Sequence, residues 1–332
     1  MSDITRLIDE INKKHGGKVN LIRKASELPP VRAFPFRLPT LDIDMGGGVL
    51  WGKETIVAGT KGTGKTTLAY ILAANSQNHG IPVFWLDLEK SFDAERSKVF
   101  GVDPDNIYVI RDELTAERAF EILRDLMTTI NTWDDTRALF VVDSIALMVS
   151  EALFEKNASQ QFGGSARMIN QAVSVWNLKL RENQILFMIN ELRSKLGSMG
   201  EPEMMPGGMA QEFLASSIVW LRDGETLKDG NKAIGKQLRW TIKKSRSSSP
   251  KEIGQAEFNY ETGFDVNRNI LMAAIELELI EQAGPYYSFN GEKFRGKEAL
   301  FEKLNTDPQF FEVLNTEIYK HMNVPIWDGS EE

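Results

Sequence analysis

The chain has 332 residues, with 0 cysteines and 3 histidines. This composition excludes disulfide bonds and thiolate metal sites, and it makes a histidine-rich metal site an unattractive hypothesis. The formal net charge of -8 argues against a protein that coats nucleic acid through general charge, although a narrow basic groove is compatible with it.

No apolar run approaches the ~20 residues that a membrane-spanning helix needs. The first residues, from Met1 to Arg6, contain no apolar secretion signal. We therefore expect an intracellular protein without a membrane partner. A chain of this length can bury a large core and suits one main domain with smaller attachments.

The N-terminal stretch has the pattern of a helix, a short strand and a linker. Apolar residues recur at helical spacing between Ile4 and His15, and the glycines at 16 and 17 end the segment. Residues 19–22 suit a strand, and the prolines between residues 29 and 39 indicate an extended linker. Such an arm docks either on its own core or on a neighbouring subunit, and the pattern allows both.

A glycine-rich loop between a predicted strand and a predicted helix is the strongest signal in the chain. The β-branched residues before it favour a buried strand, and the apolar spacing from Leu68 onward favours a helix. The loop and helix start comprise Gly59, Thr60, Lys61, Gly62, Thr63, Gly64, Lys65, Thr66 and Thr67.

This G-x-x-x-x-G-K-T pattern is typical of a P-loop. The loop N–H groups and the helix N-terminus would converge on a phosphate, and Lys65 would reach the β- and γ-phosphate oxygens. The Thr66 hydroxyl would ligate Mg²⁺. The sequence therefore predicts binding of ATP with Mg²⁺, since a plain glycine-rich turn does not need Lys65 beside Thr66.

From Phe36 to Asp265 the patterns of strand and helix alternate, as in a doubly wound, mostly parallel sheet. The predicted strands of this part cover residues 55–57, 83–87, 107–110, 139–143 and 185–189. The predicted helices cover residues 93–100, 115–130 and 166–182. Residues 218–221, 237–243 and 256–260 suit strands joined by polar turns, which indicates antiparallel additions at one side of the sheet.

The pattern after Phe264 suits a small α+β lobe. We predict a helix over residues 270–280, a hairpin over 286–291 and two further helices that begin at Lys297 and Pro308. The last five residues, 328–332, form a short acidic tail.

Carboxylates follow two of the predicted strands, where a parallel sheet opens to its ligand. Asp143 ends one strand, and we expect it to hold Mg²⁺ through water or to bond Thr66; capping the next helix is the alternative. Glu89 lies just beyond another strand and is the candidate to orient or deprotonate a water near the γ-phosphate, unless it is a solvated loop residue. We expect Asp87 to be partly buried.

Two polar segments that follow strands are candidate phosphate contacts. Asn190 and Glu191 end a strand near the expected γ-phosphate, and the glycine-rich loop 192–209 follows. A second segment, residues 156–165, leads into the next helix. Taken alone, each segment is equally a surface loop or a DNA contact.

A basic cluster at residues 243–246 precedes three serines and a proline. It is either a solvated turn or a source of cations that reach the γ-phosphate of a neighbouring subunit.

The order of these motifs resembles the RecA recombinase family, including its related phage recombinases. Ring-forming replicative helicases share such a core, but the terminal segments here resemble RecA more closely. Beyond the P-loop, the motifs are Leu41-Asp42-Ile43 with Gly46-Gly47-Gly48, Val142-Asp143-Ser144, Met188-Ile189-Asn190 with Leu192-Arg193, Pro206-Gly207-Gly208 and Gly284-Pro285-Tyr286-Tyr287-Ser288.

The resemblance implies a RecA-like P-loop ATPase core at residues 36–265. An N-terminal helix-strand oligomerisation arm with its linker would occupy residues 1–35, and an α+β lobe would occupy residues 266–332. It also implies a DNA-dependent ATPase of a bacterial or phage-infected cytoplasm. This protein would form a helical homo-oligomeric filament on single-stranded DNA and exchange that strand with homologous double-stranded DNA. Single-strand-binding and mediator proteins are further partners that the family suggests.

The resemblance also implies residue roles. Glu89 matches the catalytic glutamate and Asp143 the Mg²⁺-linked aspartate. Lys244 and Arg246 fall where two lysines act on ATP across the subunit interface, and Asp93 matches a residue that contacts adenine. Residues 156–165 and 192–209 match the two DNA-binding loops. The residues expected at or near DNA are Phe162, Arg167, Asn170, Arg193, Lys195, Gly207 and Gly208.

The sequence departs from the family at three places. Glu191 replaces a glutamine that senses the γ-phosphate, and its carboxylate would repel ATP unless a cation offsets it. Arg96 replaces an aromatic residue over adenine, where a guanidinium can also stack. The second loop is one residue shorter, without the aromatic expected between Met199 and Gly200.

Two other functions fit the same core. One is a ring-forming DNA helicase motor. The other is an ATP-gated mediator that binds DNA or a recombinase without exchanging strands.

Overall fold

The computed structural model describes residues 3–16, 21–28, 30–112, 115–133, 136–148, 164–194, 203–248 and 253–321. Within these ranges, no helix combines the length and the apolar character that crossing a bilayer requires. Two units are distinguished by their internal contacts, residues 1–31 and residues 32–332.

The N-terminal unit begins with helix α1 (Asp3–Ile11), which continues into a wider helical turn over Asn12–Gly16. The Asn12 side chain closes the bend that follows. Its amide donates to the Ile22 carbonyl at 3.0 Å, and its oxygen accepts from the Ile22 N–H at 2.8 Å. Leu21 and Ile22 therefore do not form the strand predicted for residues 19–22. Residues 19 and 20 lie outside the described residues.

The apolar face of α1 is open. None of its residues is buried, and the side chains of Ile4 and Leu7 are 70% and 55% exposed. A helix of nine residues is short for stability in water without packing.

The strands of the second unit are β1 (Ala33–Phe34), β2 (Val49–Leu50), β3 (Lys53–Gly59), β4 (Val83–Asp87), β5 (Ile107–Ile110), β6 (Ala138–Asp143), β7 (Gln184–Glu191), β8 (Arg193–Ser194), β9 (Glu203–Met204), β10 (Ser217–Asp229), β11 (Lys232–Lys244), β12 (Gly254–Asn259), β13 (Gly263–Phe264), β14 (Glu281–Ala283), β15 (Tyr286–Phe289) and β16 (Glu292–Arg295). Its helices are α2 (Pro39–Met45), α3 (Lys65–Asn78), α4 (Ala94–Val99), α5 (Ala116–Ile130), α6 (Gly164–Lys179), α7 (Ala210–Leu214), α8 (Val266–Glu276), α9 (Lys297–Thr306) and α10 (Pro308–Lys320).

Among the described residues, nine strands form one sheet in the order β13-β12-β11-β10-β3-β7-β6-β4-β5. The strands from β10 to β5 pair in parallel, and β11, β12 and β13 extend the sheet in antiparallel fashion. The predicted doubly wound sheet with antiparallel additions is confirmed. The hairpin of β10 and β11 is much longer than predicted. Only the half that lies next to the parallel strands carries the apolar pattern from which the strands were predicted.

Both faces of the parallel strands are covered, which explains why these strands appear in the sequence as continuous apolar runs. On one face, Trp85 of β4 is fully buried and stacks on Tyr70 of α3 with ring centroids 5.1 Å apart. On the other face, Trp176 of α6 is fully buried near Phe120 of α5. Alternate residues of one strand therefore contribute to two separate clusters.

The proline-containing segment that the sequence suggested as a linker is part of the core from residue 33 onward. Phe34 and Phe36 are fully buried, and the N–H of Phe36 donates to the Asp42 carboxylate at 2.8 Å. Burial raises the pKa of Asp42 to about 7, against the lowering effect of its hydrogen bonds. Tyr319 of α10 donates its hydroxyl proton to the same carboxylate at 2.8 Å, which ties the C-terminal helices to this segment.

The C-terminal lobe consists of a three-stranded antiparallel sheet, β14-β15-β16, and helices α8 to α10. The helix predicted over residues 270–280 begins at Val266 instead, because the Asp265 carboxylate caps it by accepting from the Arg268 N–H at 2.9 Å. It ends at Glu276, and residues 281–283 form β14. The predicted hairpin and the helices from Lys297 and Pro308 are present.

The substitution Leu314→Ala should destabilise the lobe, since Leu314 is fully buried in the cluster between α8, α9 and α10. We expect a loss of about 2–5 kcal/mol from the lost contacts and the cavity left behind. Val313→Ala is the matched control, because Val313 is 45% exposed on the same helix. Urea unfolding of both variants measures the difference, and equal effects would contradict this packing.

Candidate functional site

The predicted P-loop connects the end of β3 at Gly59 to the start of α3 at Lys65. Gly62 and Gly64 have φ angles of +82° and +84°, in the left-handed region that favours glycine. A Cβ on Gly59 would lie 2.4 Å from the Thr63 hydroxyl oxygen. The first turn of α3 has no side-chain cap, so its N–H groups are available to an anion.

The Lys65 ammonium donates to the carbonyl oxygens of Gly59 and Thr60, at 3.0 and 2.8 Å. Burial lowers the pKa of Lys65, and nearby carboxylates oppose that shift. The three largest of these opposing contributions come from Glu89, Asp143 and Glu191. The lysine thus lies in a polar cleft, and among the described residues its acceptors are two neutral carbonyls, which a phosphate oxygen can replace.

Asp143, at the end of β6, accepts a hydrogen bond from the Thr66 hydroxyl at 3.0 Å. Burial, then the Glu89 charge, raises the pKa of Asp143 to about 7. Its other oxygen, Oδ1, is buried without a hydrogen-bond partner among the described residues. A hydroxyl and an orphaned carboxylate oxygen suit Mg²⁺, a hard cation that prefers oxygen ligands.

The described residues contain no cluster of three or more acidic, histidine or cysteine side chains that would enclose a metal by itself. This also fits Mg²⁺, which is commonly held by one or two protein oxygens together with substrate phosphates and water.

Glu89 lies in the turn after β4 and lines the cleft with an exposed side chain. The N–H groups of Leu88 and Glu89 donate to the Asp143 carbonyl at 2.7 and 3.2 Å, which fixes the turn beside β6. Asp87 is only 1% exposed, and its carboxylate accepts from Arg111 and from the backbone of the following turn. Of the two carboxylates, Glu89 is therefore the one that can face a ligand.

The cleft has a volume of about 530 Å³. Among the described residues, the cleft is lined by predicted site residues and also by residues that the sequence motifs did not indicate. These additional lining residues are Leu147, Lys236, Phe258 and Tyr260. They come from the antiparallel strands and from the turn after β6, so only the sheet topology brings them to the P-loop.

Of the two residues proposed near adenine, Arg96 lines the cleft and Asp93 does not. The Arg96 guanidinium lies over the Phe100 ring, 5.6 Å from its centroid. The Asp93 carboxylate instead caps α4 by accepting from the Arg96 N–H at 3.0 Å, and it borders a neighbouring depression.

Glu191, at the end of β7, lines the cleft and is paired with Arg193. The guanidinium donates to Glu191 Oε2 from Nε at 3.3 Å and from a terminal nitrogen at 3.1 Å. The cation that the sequence analysis required beside this carboxylate is therefore supplied two residues further along the chain. Arg193 also lies at the start of the second predicted loop, so this pair connects the cleft to the start of that loop.

The end of β7 is also bonded to the Gly207-Gly208 turn. The buried Asn190 amide donates to the Pro206 carbonyl at 3.1 Å and to Gln211 Oε1 at 2.7 Å. Gln211, which the sequence analysis did not single out, donates to the carbonyls of Pro206 and Gly208. This network is a direct path from the cleft to the turn.

Asn170 of α6 lies against the same turn, because its side-chain oxygen accepts from the Ala210 N–H at 3.1 Å. Gly208 has a φ of +80°, in the left-handed region that favours glycine, and a Cβ there would lie 2.5 Å from the Asn170 amide nitrogen. Arg167 is exposed on the same helix. Three residues expected at DNA, Asn170, Gly207 and Gly208, are thus adjacent, whereas Phe162 and Lys195 lie outside the described residues.

Lys244 and Arg246, at the end of β11, do not line the cleft of their own chain. The Lys244 ammonium donates to the carbonyls of Glu212 and Phe213 at 2.7 and 2.8 Å. Burial, then the Arg246 charge, lowers the pKa of Lys244. Behind them lies Glu54, which is fully buried. Burial raises the pKa of Glu54 to about 8, although Asn177 and these two cations act to lower it.

The family model described as the RecA N-terminal domain matches residues 2–265. The chain is 33% identical over 301 residues to Protein RecA of Clavibacter michiganensis subsp. michiganensis (strain NCPPB 382), covering 88% of this chain and 81% of that protein. It is 32% identical over 328 residues to Protein RecA of Roseiflexus castenholzii (strain DSM 13941 / HLO8), covering 96% and 91%. For Protein RecA of Acholeplasma laidlawii (strain PG-8A), the identity is 30% over 299 residues, covering 89% and 88%.

The substitution Arg193→Ala should weaken binding of ATP, because it leaves the Glu191 carboxylate uncompensated beside a triphosphate. We expect a loss of about three- to tenfold in affinity, measured with a fluorescent non-hydrolysable ATP analogue. Adding Glu191→Gln to that variant should restore the affinity. Arg124→Ala, which removes an ion pair with Asp125 outside the cleft, is the control. A double variant as weak as Arg193→Ala alone would contradict this role of the pair.

Proposed function

The chain belongs to the RecA recombinase family, and from this premise we propose that it is an ATP-dependent DNA recombinase. It forms a helical filament on single-stranded DNA, pairs that strand with a homologous duplex and promotes strand exchange. DNA stimulates its hydrolysis of ATP to ADP and phosphate. The observation that carries the proposal is the Asn190 network, which joins the nucleotide cleft to the Gly207-Gly208 turn.

ATP binds at the P-loop in this proposal. The uncapped N–H groups at the start of α3 hold the phosphates, and the Lys65 ammonium moves from its loop carbonyls to phosphate oxygens. Thr66 and Asp143 would hold Mg²⁺, which would supply positive charge to offset charge that develops on the transferred phosphoryl group. Arg96 contributes to the adenine site, at the side of the cleft where Phe258 and Tyr260 also lie.

Glu89 orients the attacking water and accepts its proton, while the oxygen of that water bonds to the γ-phosphorus and ADP leaves in line. Two observations favour Glu89 for this role: it is exposed in the cleft, and its turn is fixed to β6 by backbone hydrogen bonds. Asp143 is less suited, because it is buried and bonded to Thr66.

The cleft is completed by a second copy of the chain. Lys244 and Arg246 act in trans on the γ-phosphate, a proposal supported by their position outside their own cleft. Residues 1–35 serve as the arm that holds neighbouring subunits together, in keeping with the open apolar face of α1. Residues 36–265 act as the motor core, and residues 266–332 as an attached lobe. A head-to-tail contact of this kind generates a helix when it does not close into a ring.

DNA binds at the segments that follow the sheet strands. The proposed contacts are Phe162, Arg167, Asn170, Arg193, Lys195, Gly207 and Gly208. A triphosphate that shifts Glu191 and Arg193 also shifts the end of β7, and the Asn190 and Gln211 hydrogen bonds transmit this shift to the turn. The activity belongs in a bacterial or phage-infected cytoplasm, with single-strand-binding and mediator proteins as further partners.

Formation of a D-loop is the test of this function. The purified protein, ATP, Mg²⁺ and a single-stranded oligonucleotide should convert a homologous supercoiled duplex into a joint molecule. A heterologous duplex and the Lys65→Ala variant are the controls. A ring-forming helicase or a mediator would bind DNA and ATP without making the joint, so absence of D-loops beside intact DNA binding would contradict strand exchange.

The substitution Glu89→Gln should separate filament formation from turnover. The amide keeps the size of the side chain but cannot accept a proton, so we expect ATP hydrolysis to fall by about 10²–10⁴-fold. DNA filaments should still form with ATP, as seen by electron microscopy. Glu95→Gln, on the exposed face of α4, is the control. Unchanged turnover of the Glu89 variant would remove that residue from the base role.

A further inference from the structure

The long hairpin of β10 and β11 places a lysine from outside the P-loop against that loop. The Lys236 ammonium donates to the Gly62 carbonyl oxygen and to the Asp223 carboxylate. The Lys236 side chain is only 14% exposed, whereas that of Asp223 is 50% exposed. Lys236 also lines the cleft together with Lys65 and Glu191.

The sheet register explains this position. β10 pairs in parallel with β3, so that Leu221 lies opposite Gly59 at the start of the loop. The hairpin continues past that point, and Lys236 pairs with Thr226 on one side. A register shift between Asp223 and Thr226 interrupts the ladder where the side chains of Asp223 and Lys236 meet.

Lys65 and Lys236 share one hydrogen-bonding pattern. Lys65 donates to the carbonyls of Gly59 and Thr60, and Lys236 donates to the carbonyl of Gly62. All three acceptors belong to the loop that curls around an anion. A charged phosphate oxygen is a stronger acceptor for an ammonium than a neutral carbonyl. Both lysines are therefore placed to exchange a loop carbonyl for a phosphate.

We propose that Lys236 is a second phosphate-binding lysine of the nucleotide site, and that Asp223 competes with the nucleotide for it. The ligand class is a nucleoside di- or triphosphate. The proposal rests on ATP binding at the P-loop and adds a residue from the antiparallel hairpin, outside the P-loop motif. Asp223 then sets nucleotide affinity without touching the nucleotide.

If Asp223 competes with the nucleotide for Lys236, substitutions of the two residues should change nucleotide affinity in opposite directions. The substitution Lys236→Met removes a phosphate ligand and should weaken nucleotide binding by about tenfold, the factor that corresponds to one charge-assisted hydrogen bond. The substitution Asp223→Asn releases the lysine and should tighten binding by about threefold or more. Lys236→Arg should retain most of the affinity, because a guanidinium also binds phosphate.

The experiment is titration of the full-length protein with a fluorescent non-hydrolysable ATP analogue, with no DNA present. Lys232→Ala is the matched control, since Lys232 lies on the same strand and is 76% exposed. The double variant with Lys236→Met and Asp223→Asn should bind as weakly as Lys236→Met alone, because Asp223 acts only through Lys236. Thermal unfolding without nucleotide shows whether each variant is folded.

If Lys236 only stabilises the conformation of the loop, a different result is expected. Asp223→Asn would then weaken binding or leave it unchanged, and either outcome overturns the proposal. The Lys65→Ala variant separates this failure from a failure of the proposed function. If Lys65→Ala binds the analogue as tightly as the parent, the P-loop is not the nucleotide site, whatever Lys236 does.

Discussion

The parallel pairing of β3 with both β7 and β10 is the constraint from which the site follows. In this register Gly59 lies opposite Glu191 on one side and opposite Leu221 on the other. The first glycine of the P-loop, the strand end that carries Glu191 and the hairpin that carries Lys236 therefore meet at one edge of the sheet. The next strands add Asp143 and Asp87, which are paired with each other in the ladder.

Three cations near the cleft have hydrogen-bond acceptors within the protein. Lys65 is bonded to loop carbonyls, Lys236 to a loop carbonyl and Asp223, and Arg193 to Glu191. In the function proposed above, a triphosphate would replace these acceptors with phosphate oxygens. Such an exchange of a few polar contacts would let the site respond to the γ-phosphate without rearranging its core.

The fold was largely predictable, because buried parallel strands leave continuous apolar runs and because the P-loop has fixed spacing. The prolines at 35 and 39 suggested an extended linker, whereas the neighbouring Phe34 and Phe36 are fully buried. The Asp42 carboxylate that accepts from the Phe36 N–H also accepts from Tyr319, a partner too distant in sequence to be predicted. Helix α8 began earlier than predicted because its cap, Asp265, lies before the apolar run.

In the site, the P-loop pattern could be recognised because its residues are consecutive. Lys236, Phe258 and Tyr260 left no local signal, since they reach the cleft only through the register of the antiparallel strands. The Glu191–Arg193 pair could have been predicted from the sequence, because only one residue separates the two at a strand end. Gln211 gave no such signal, as its bonds to the glycine turn require the folded backbone.

The most direct test of the proposed nucleotide site between two subunits is a mixing experiment with two inactive variants. Lys65→Ala removes the P-loop lysine, and Arg246→Ala removes the residue proposed to act in trans. When the two are mixed in equal amounts on single-stranded DNA, about one quarter of the interfaces combine an intact P-loop with an intact arginine. We predict that ATPase activity returns toward that fraction of the parent's. If the mixture stays as inactive as its components, although both variants assemble on DNA, ATP is not shared between subunits.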